Sequence, residues 1–373
     1  MLRGIRMIRP VYFFMSTRFH AAFTALFAAA LFGATTPLAK LLLGSLSPFL
    51  LAGLFYLGSG LGLAITIGVR RLTRSKLDAP GQQDENHIGW PDVPWLIGAI
   101  AAGGVAGPAL LMLGLGSTPA ATGSLLLNLE GVFTALIAWV VFRENVDVQI
   151  FLGMVAIVAG GVLLSWQPGA AAGSMVPAGA LLVAAACACW AIDNNLTRRI
   201  STLDGMTLAC LKGLVAGPVN LLIALRTGAA WPGLPATAAA MLTGFAGYGV
   251  SLVLFVVALR NLGTARTGAY FSVAPLFGVT LSLILWPAMP SLLFWIAAVL
   301  MAFGVWLHIR ERHEHPHTHE PMEHNHRHRH DEHHQHEHDF PWDGQEPHTH
   351  PHQHARIVHT HAHFPDIHHR HRH

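Results

Sequence analysis

The sequence predicts an all-α integral membrane protein, with ten transmembrane helices forming two inverted five-helix repeats and a polar tail after them. Three observations predict it. Hydrophobic residues make up 52% of the 373-residue chain and charged residues 12%, which leaves too little polar sequence to cover a soluble domain of this size. Apolar stretches long enough to cross a bilayer, a task that takes about 20 helical residues, recur ten times between charged or Pro/Gly-bearing breaks. Finally, Lys and Arg gather in alternate loops, the pattern of loops that face the cytoplasm.

The ten segments are 20–43, 48–69, 94–114, 119–142, 149–166, 177–197, 206–225, 236–259, 267–286 and 290–308. Arg3, Arg6, Arg9 and Arg18 precede the first. With that end inside, the inside loops hold Arg70, Arg71, Arg74 and Lys76, then Arg143, then Arg198 and Arg199, then Arg260 and Arg266, then Arg310 and Arg312, against Arg226 outside. Both termini are therefore expected in the cytoplasm, which requires an even helix count. Removal of the first segment as a secretory signal would leave nine spans and spoil that alternation. Lys40, near the outer end of the first segment, is expected to snorkel to the headgroups. Cys187, Cys189 and Cys210 lie inside predicted helices and read as small packing residues. The chain thus divides into a cytoplasmic N-terminus (1–19), a first repeat (20–166), a second repeat (177–308) and a tail (309–373).

The repeat is visible in the residues themselves. EGVFTALIAWVVF of the fourth helix aligns with APLFGVTLSLILW of the ninth, pairing Gly131 with Pro275 and Phe133 with Phe277. In the next helix of each half VAGGVLLSW falls on MAFGVWLHI. FGATTPLAK of the first helix aligns with AIDNNLTRR of the sixth with a one-residue slip. An odd number of helices per half makes the two copies opposite in orientation.

The LEGVFTALIAW run followed by Arg143-Glu144 and a Gly-rich helix, echoed as APLF in the second half, resembles the EamA branch of the drug/metabolite transporter superfamily. The resemblance spans residues 20 to about 308. It implies a ten-helix, inverted-repeat secondary transporter of bacterial inner membranes that moves small metabolites, amino acids or toxic compounds, often outward. The family pattern has Pro after the glutamate, where this chain has Gly131, so the fourth helix is expected to be less kinked than usual. It also has a Glu-bearing turn after the ninth helix, where this chain has Trp286-Pro287.

Ionisable groups at the centre of a membrane helix cost at least about 2.5–3.5 kcal/mol, so each needs a reason. Glu130 is the deepest. A carboxyl there suits proton coupling, and the alternative is a tie between helices through Asn128 or a hydroxyl. Asp193, beside Asn194, lies near the cytoplasmic end of the sixth helix, and Lys212 at similar depth on the seventh, so the two can pair across the hairpin. That pair is either mutual neutralisation or an inside gate. Thr35 and Thr36, next to Pro37, hold the repeat-related place in the first helix. Trp190, Tyr248 and Tyr270 are candidates to line a pocket.

Beyond Arg312 the composition changes. Of the chain's 26 histidines, 23 fall in the last 61 residues, many alternating with other residues. His313, His315, His317, His319, His324, His326, His328, His330, His333, His334, His336, His338, His348, His350, His352 and His354 are the candidate metal ligands. Neutral imidazole suits Zn, Ni, Co and Cu. With few aliphatics, the segment is expected to be disordered without a ligand. No zinc-finger spacing, nucleotide loop or catalytic triad occurs, so no enzyme activity, required cofactor or nucleic-acid partner is expected. The expected partners are a small-molecule substrate, the lipid bilayer and a divalent transition metal at the tail, with a homodimer left open. Two readings stand: an exporter of a small organic metabolite with a metal-binding regulatory tail, and a Ni, Co or Zn efflux transporter whose tail gathers cargo. The membrane part has no intramembrane His beyond the boundary residues His20 and His308, which a metal path would be expected to have.

Overall fold

The computed structural model describes residues 11–74, 89–142, 148–166, 177–197, 200, 205–262, 264–309, 313–319, 322–328, 348–354 and 357–363. Arg143, Arg198, Arg199, Arg310 and Arg312, together with His330, His333, His334, His336 and His338, lie outside the described residues. The chain divides into a unit ending at Glu311 and a tail unit beginning at Arg312.

Among the described residues, ten helical spans are long and apolar enough to cross a membrane: His20–Leu42, Pro48–Leu72, Trp90–Ser117, Ala120–Val140, Val148–Ser165, Ala178–Thr197, Gly205–Arg226, Leu234–Leu259, Arg266–Leu285 and Leu292–Ile309. They are called the first to tenth spans below. The first continues a helix that starts at Val11. Phe55, Leu50, Leu51, Met112, Leu115, Leu125 and Ile157 are fully buried between spans. Ile65, Val69, Ile97, Val155, Ile284 and Val299 face outward, as lipid-facing residues must, because hydrocarbon offers no reason to hide them.

Small residues bring the spans together. The second and seventh cross so closely at Gly60 and Gly213 that a Cβ on Gly213 would stand 2.6 Å from the Cα of Gly60. The fifth and tenth do the same twice. A Cβ on Gly304 would lie 2.6 Å from the Gly153 carbonyl oxygen, and one on Gly160 would lie 3.0 Å from that of Ala297. Residues 153 and 297, like 160 and 304, are 144 positions apart, the separation of Gly131 from Pro275. The two contacts are therefore exchanged by the repeat, as in a two-fold interface.

An offset of 144 to 145 positions relates two irregularities. The third span widens into a π-helical stretch at Ile100–Ala106 and the eighth at Phe245–Val250. The fourth is interrupted at Leu127 and Asn128, between Ala120–Leu126 and Leu129–Val140. The ninth is interrupted at Ser272 and Val273, between Thr264–Phe271 and Ala274–Leu285. The fourth helix, expected to be less kinked than usual, is nonetheless interrupted. The break precedes position 131, in a tightened turn where the amides of Asn128 and Glu130 reach back three residues to Leu125 and Leu127 (both 3.1 Å). Leu127 and Asn128 both have φ −60° and ψ −20°, values of a 3₁₀ turn. Proline is not needed to make that turn.

The first piece of the fourth span packs against the second piece of the ninth, away from the end of the bundle where the first span starts and the tenth stops. The other two pieces, nearer that end, make no comparable contact.

The tail unit differs from the disorder expected of it. β1 (His313–His319) pairs antiparallel with β4 (Ile357–His363), and β2 (Met322–His328) with β3 (His348–His354). Alternation of His with another residue has the period of a strand, in which every second residue shares a face. The register sets His313 opposite His363, His315 opposite His361 and His317 opposite His359. It also sets His324 opposite His352, His326 opposite His350 and His328 opposite His348.

Candidate functional site

The break in the fourth span faces the sixth, and the polar groups of the membrane region gather on that seam. Asn194 donates its amide to Glu130 Oε1 at 2.9 Å and approaches Thr134 Oγ1 at 3.4 Å. The amide of Asn195 donates to the carbonyls of Ala191 (2.9 Å) and Thr134 (3.3 Å). Glu130 and Thr134 are half-buried and Asn194 is exposed. A Cβ built on Gly131 or on Gly268 would meet nothing within 4 Å. Gly131, next to Glu130, and Gly268 thus each border open space. Glu130 Oε2 has no hydrogen-bond partner among the described residues, so the carboxyl can take up a proton or accept a donor from a ligand.

On a neighbouring face of the sixth span, one residue before Asn194, Asp193 receives the Lys212 ammonium from the seventh. Thr197 closes the triangle, accepting from Lys212 at 3.0 Å and donating to Asp193 at 2.9 Å. The pair is mostly buried, the side chains being 15% and 11% exposed. Two opposite charges in contact, each with a hydroxyl partner, are the arrangement in which burial of charge is tolerated.

Asp193 also lies directly over Gly103, in the widened turn of the third span. The Gly103 carbonyl accepts from Tyr56 Oη (2.7 Å) and Trp190 Nε1 (3.0 Å), and the next carbonyl, of Gly104, accepts from the Asn220 amide at 3.1 Å. Three spans thus hold one irregular turn by its carbonyls, as non-helical backbone in a membrane requires. Sequence reasoning missed Tyr56, Asn220 and Gly103. A lone tyrosine, asparagine or glycine in an apolar run carries no pattern, and only the widened turn gives these residues a common target.

The other candidates fall in different places. Asn128 donates to the Leu125 carbonyl at 2.9 Å rather than to Glu130, so the tie between helices runs through Asn194 instead. Thr35 bonds back to the Phe32 carbonyl at 2.6 Å and packs against Gly247 in the eighth span, while Thr36 is buried. Thr35 against Gly247 mirrors Asp193 against Gly103, the repeat-related contact. Tyr248 joins an aromatic cluster with Tyr56 (5.5 Å), Phe55 (5.9 Å) and Phe32 (6.0 Å between ring centres). Tyr270, on the first piece of the ninth span, is half-buried and outside the hydrogen-bond network of the described residues. The Lys40 ammonium donates to the carbonyls of Leu115 and Gly116, the open C-terminal end of a helix that attracts a cation. Cys187, Cys189 and Cys210 are free thiols. Among the described histidines of the tail, the strands add His359, His361 and His363 to those the sequence singled out.

Comparison with known proteins gives the fold a context. The family model described as the EamA-like transporter family matches residues 20–166 and 177–310. An uncharacterized transporter of Methanothermobacter thermautotrophicus (strain Delta H) is 29% identical over 287 residues, covering 75% of this chain and 83% of that protein. A crystal structure of 20% identity superposes with a TM-score of 0.55, over 78% of this chain and 95% of the other, a likeness in fold alone.

Proposed function

The chain belongs to the EamA-like transporter family of multi-pass membrane proteins, and from that premise we propose that it exports a small organic metabolite or amino-acid-like compound by alternating access. The two five-helix repeats rock about the crossing of the second and seventh spans, and Glu130 couples the cycle to protons. The observation that carries this reading is the Glu130–Asn194 contact. It joins the first repeat to the second, at the break of the fourth span, on the border of open space. A carboxyl in that position exchanges its proton only while the seam is wet, which is the condition a coupled carrier must meet. The Asp193–Lys212 pair closes the cytoplasmic end of the path. The membrane is a bacterial inner membrane with both termini in the cytoplasm, and the histidine tail binds Zn, Ni, Co or Cu in a regulatory role. Among the described residues no group of three or more His, Cys, Asp or Glu gathers to hold an ion, so no specific observation favours a metal ion as cargo.

Transport in vesicles tests the coupling. Glu130→Gln keeps shape and hydrogen bonding and is expected to bind substrate but lose pH-driven accumulation, with Glu130→Asp retaining part of it. Unchanged pH-driven transport in the Gln variant would return Glu130 to the role of a tie between helices. Orientation is checked with single cysteines in a background lacking the three native ones. Those placed in residues 70–93 are expected to be shielded from impermeant thiol reagents in intact cells, and those near 45, 170 and 229 to be labelled.

A further inference from the structure

A cavity of about 580 Å³ lies at the end of the bundle away from the termini, between the first, fourth, fifth, ninth and tenth spans. Its size is in the range of small-molecule sites. Its walls are mainly apolar and aromatic, with Trp166, Trp286, Leu283, Met289, Leu293 and Phe294 among them. Among the described residues, Lys40 is the only charged one in its lining, and no carboxylate faces it there.

The Lys40 ammonium has three N–H donors. Two are spent on the carbonyls of Leu115 and Gly116, which fix the head of an otherwise flexible side chain. Among the described residues it has no acidic partner, so the site holds a net positive charge and a donor still to be satisfied. Thr122 and Ser291 add hydroxyls to the lining. A lysine serving only to cap a helix end would need neither a cavity beside it nor indole walls around it.

We propose that this cavity is a recognition site for an oxyanion carried on an apolar body, the head on Lys40 and the body against Trp166, Trp286 and Phe294. A carboxylate or a phosphodiester meets that description, the first from a soluble amphipathic acid and the second from an anionic lipid. The site is separate from the Glu130 seam and does not depend on which compound crosses the membrane. Its occupant would touch both Thr122 of the fourth span and Trp286 of the ninth, whose pieces pack together at this end.

The test uses the full chain in nanodiscs, with bromohexanoate and bromohexanol as heavy-atom quenchers of the cavity's indoles. In phosphatidylcholine discs the acid is expected to quench saturably at a concentration about tenfold below the alcohol, the ratio a single charge-assisted hydrogen bond gives. Lys40→Gln keeps donors for the two carbonyls and is expected to erase that preference while leaving quenching by the alcohol unchanged, and Lys40→Arg to retain it. Trp286→Phe must lower the quenching amplitude, and Ala288→Trp, which fills the cavity, must weaken both probes. If added phosphatidylglycerol raises the bromohexanoate concentration required, the lipid phosphodiester shares the site; if it does not, the site takes the soluble acid. Equal quenching by acid and alcohol, or an undiminished preference in Lys40→Gln, would overturn the proposal. So would undiminished binding of both probes in Ala288→Trp, should the Gln variant fail to fold.

Discussion

The fourth span meets the sixth across a polar seam, and the ninth meets the first across a dry one, although the repeat relates the two seams. Ala274 and Gly278 stand 144 positions after Glu130 and Thr134. On the polar seam Glu130 and Thr134 reach Asn194 and Asn195. On the dry seam the same two positions are cut back to a methyl group and a hydrogen, and Gly33 nests against them so tightly that a Cβ there would overlap the Ala274 carbonyl and come within 3.1 Å of the Gly278 amide nitrogen. The comparison separates what duplication copied from what it left free. Helix breaks, widened turns and glycine crossings recur in both halves, because they are conditions for packing ten helices in lipid. The ionisable groups occur once, since nothing in the packing requires them.

If charge is confined to the side of the bundle around the sixth span, the largest effect of a single substitution should come from the ion pair that the sixth makes with the seventh. Lys212→Met leaves Asp193 mostly buried with only Thr197 to neutralise it, and is expected to cost about 3 kcal/mol of stability. The double variant Asp193→Leu/Lys212→Met is expected to recover most of that loss, because the uncompensated charge is gone. Thermal unfolding in detergent measures both. A double variant as unstable as the single one would mean that the pair is needed for packing, and the contrast between the seams would lose its electrostatic basis.

The next effect compares backbones. Gly33→Ala pushes a methyl into the Ala274 carbonyl on the dry seam, an overpacking expected to destabilise by about 1–3 kcal/mol. Gly131→Ala adds the same methyl where nothing lies within 4 Å, and is expected to be neutral or to stabilise by up to about 1 kcal/mol through helix propensity. The opposite signs make the pair of unfolding temperatures informative. Equal losses at both positions would show that the space beside Gly131 closes in the folded protein.

Most of the membrane fold was legible in the sequence, because a span is a property of some twenty consecutive residues. The expected fourth and seventh segments, 119–142 and 206–225, differ from the observed Ala120–Val140 and Gly205–Arg226 by one or two residues at each end. The inverted repeat was legible for the same reason, through alignments such as Phe133 with Phe277. The breaks and widened turns were not. The turn at Leu127 and Asn128 has no proline or glycine in it, and its carbonyls are met from another helix, the Cys187 thiol lying 3.6 Å from that of Leu126. Site residues were legible where burial is expensive, as at Glu130, Asp193 and Lys212, since an ionisable side chain in an apolar run stands out by itself. Neutral partners such as Tyr56 and Asn220 did not stand out, because their roles come from contacts with residues more than forty positions away. For the tail, composition pointed to imidazole chemistry, whereas the cross-strand register depends on segments far apart in the chain.

The smallest expected effect is the most specific test of the polar seam. Asn194 is exposed, so its bond to Glu130 competes with water and contributes on the order of 1 kcal/mol at most. Asn194→Leu removes the donor, and Glu130→Leu removes the acceptor. Each alone leaves the other polar group without its partner, and the double variant leaves neither. If the contact holds the two repeats together, the double-mutant cycle should show a coupling of about 0.5–1 kcal/mol in unfolding free energy. The same cycle on the dry seam, with Thr35→Val and Ser282→Ala, should show coupling near zero. Thr35 bonds to its own Phe32 carbonyl and Ser282 to its own Gly278 carbonyl, so no hydrogen bond joins these two side chains across the first and ninth spans. A coupling of equal size on both seams would mean that the hydrogen bonds follow the repeat after all. No coupling between Glu130 and Asn194 would mean that water, rather than Asn194, satisfies the carboxyl, and that the repeats are held together by packing alone.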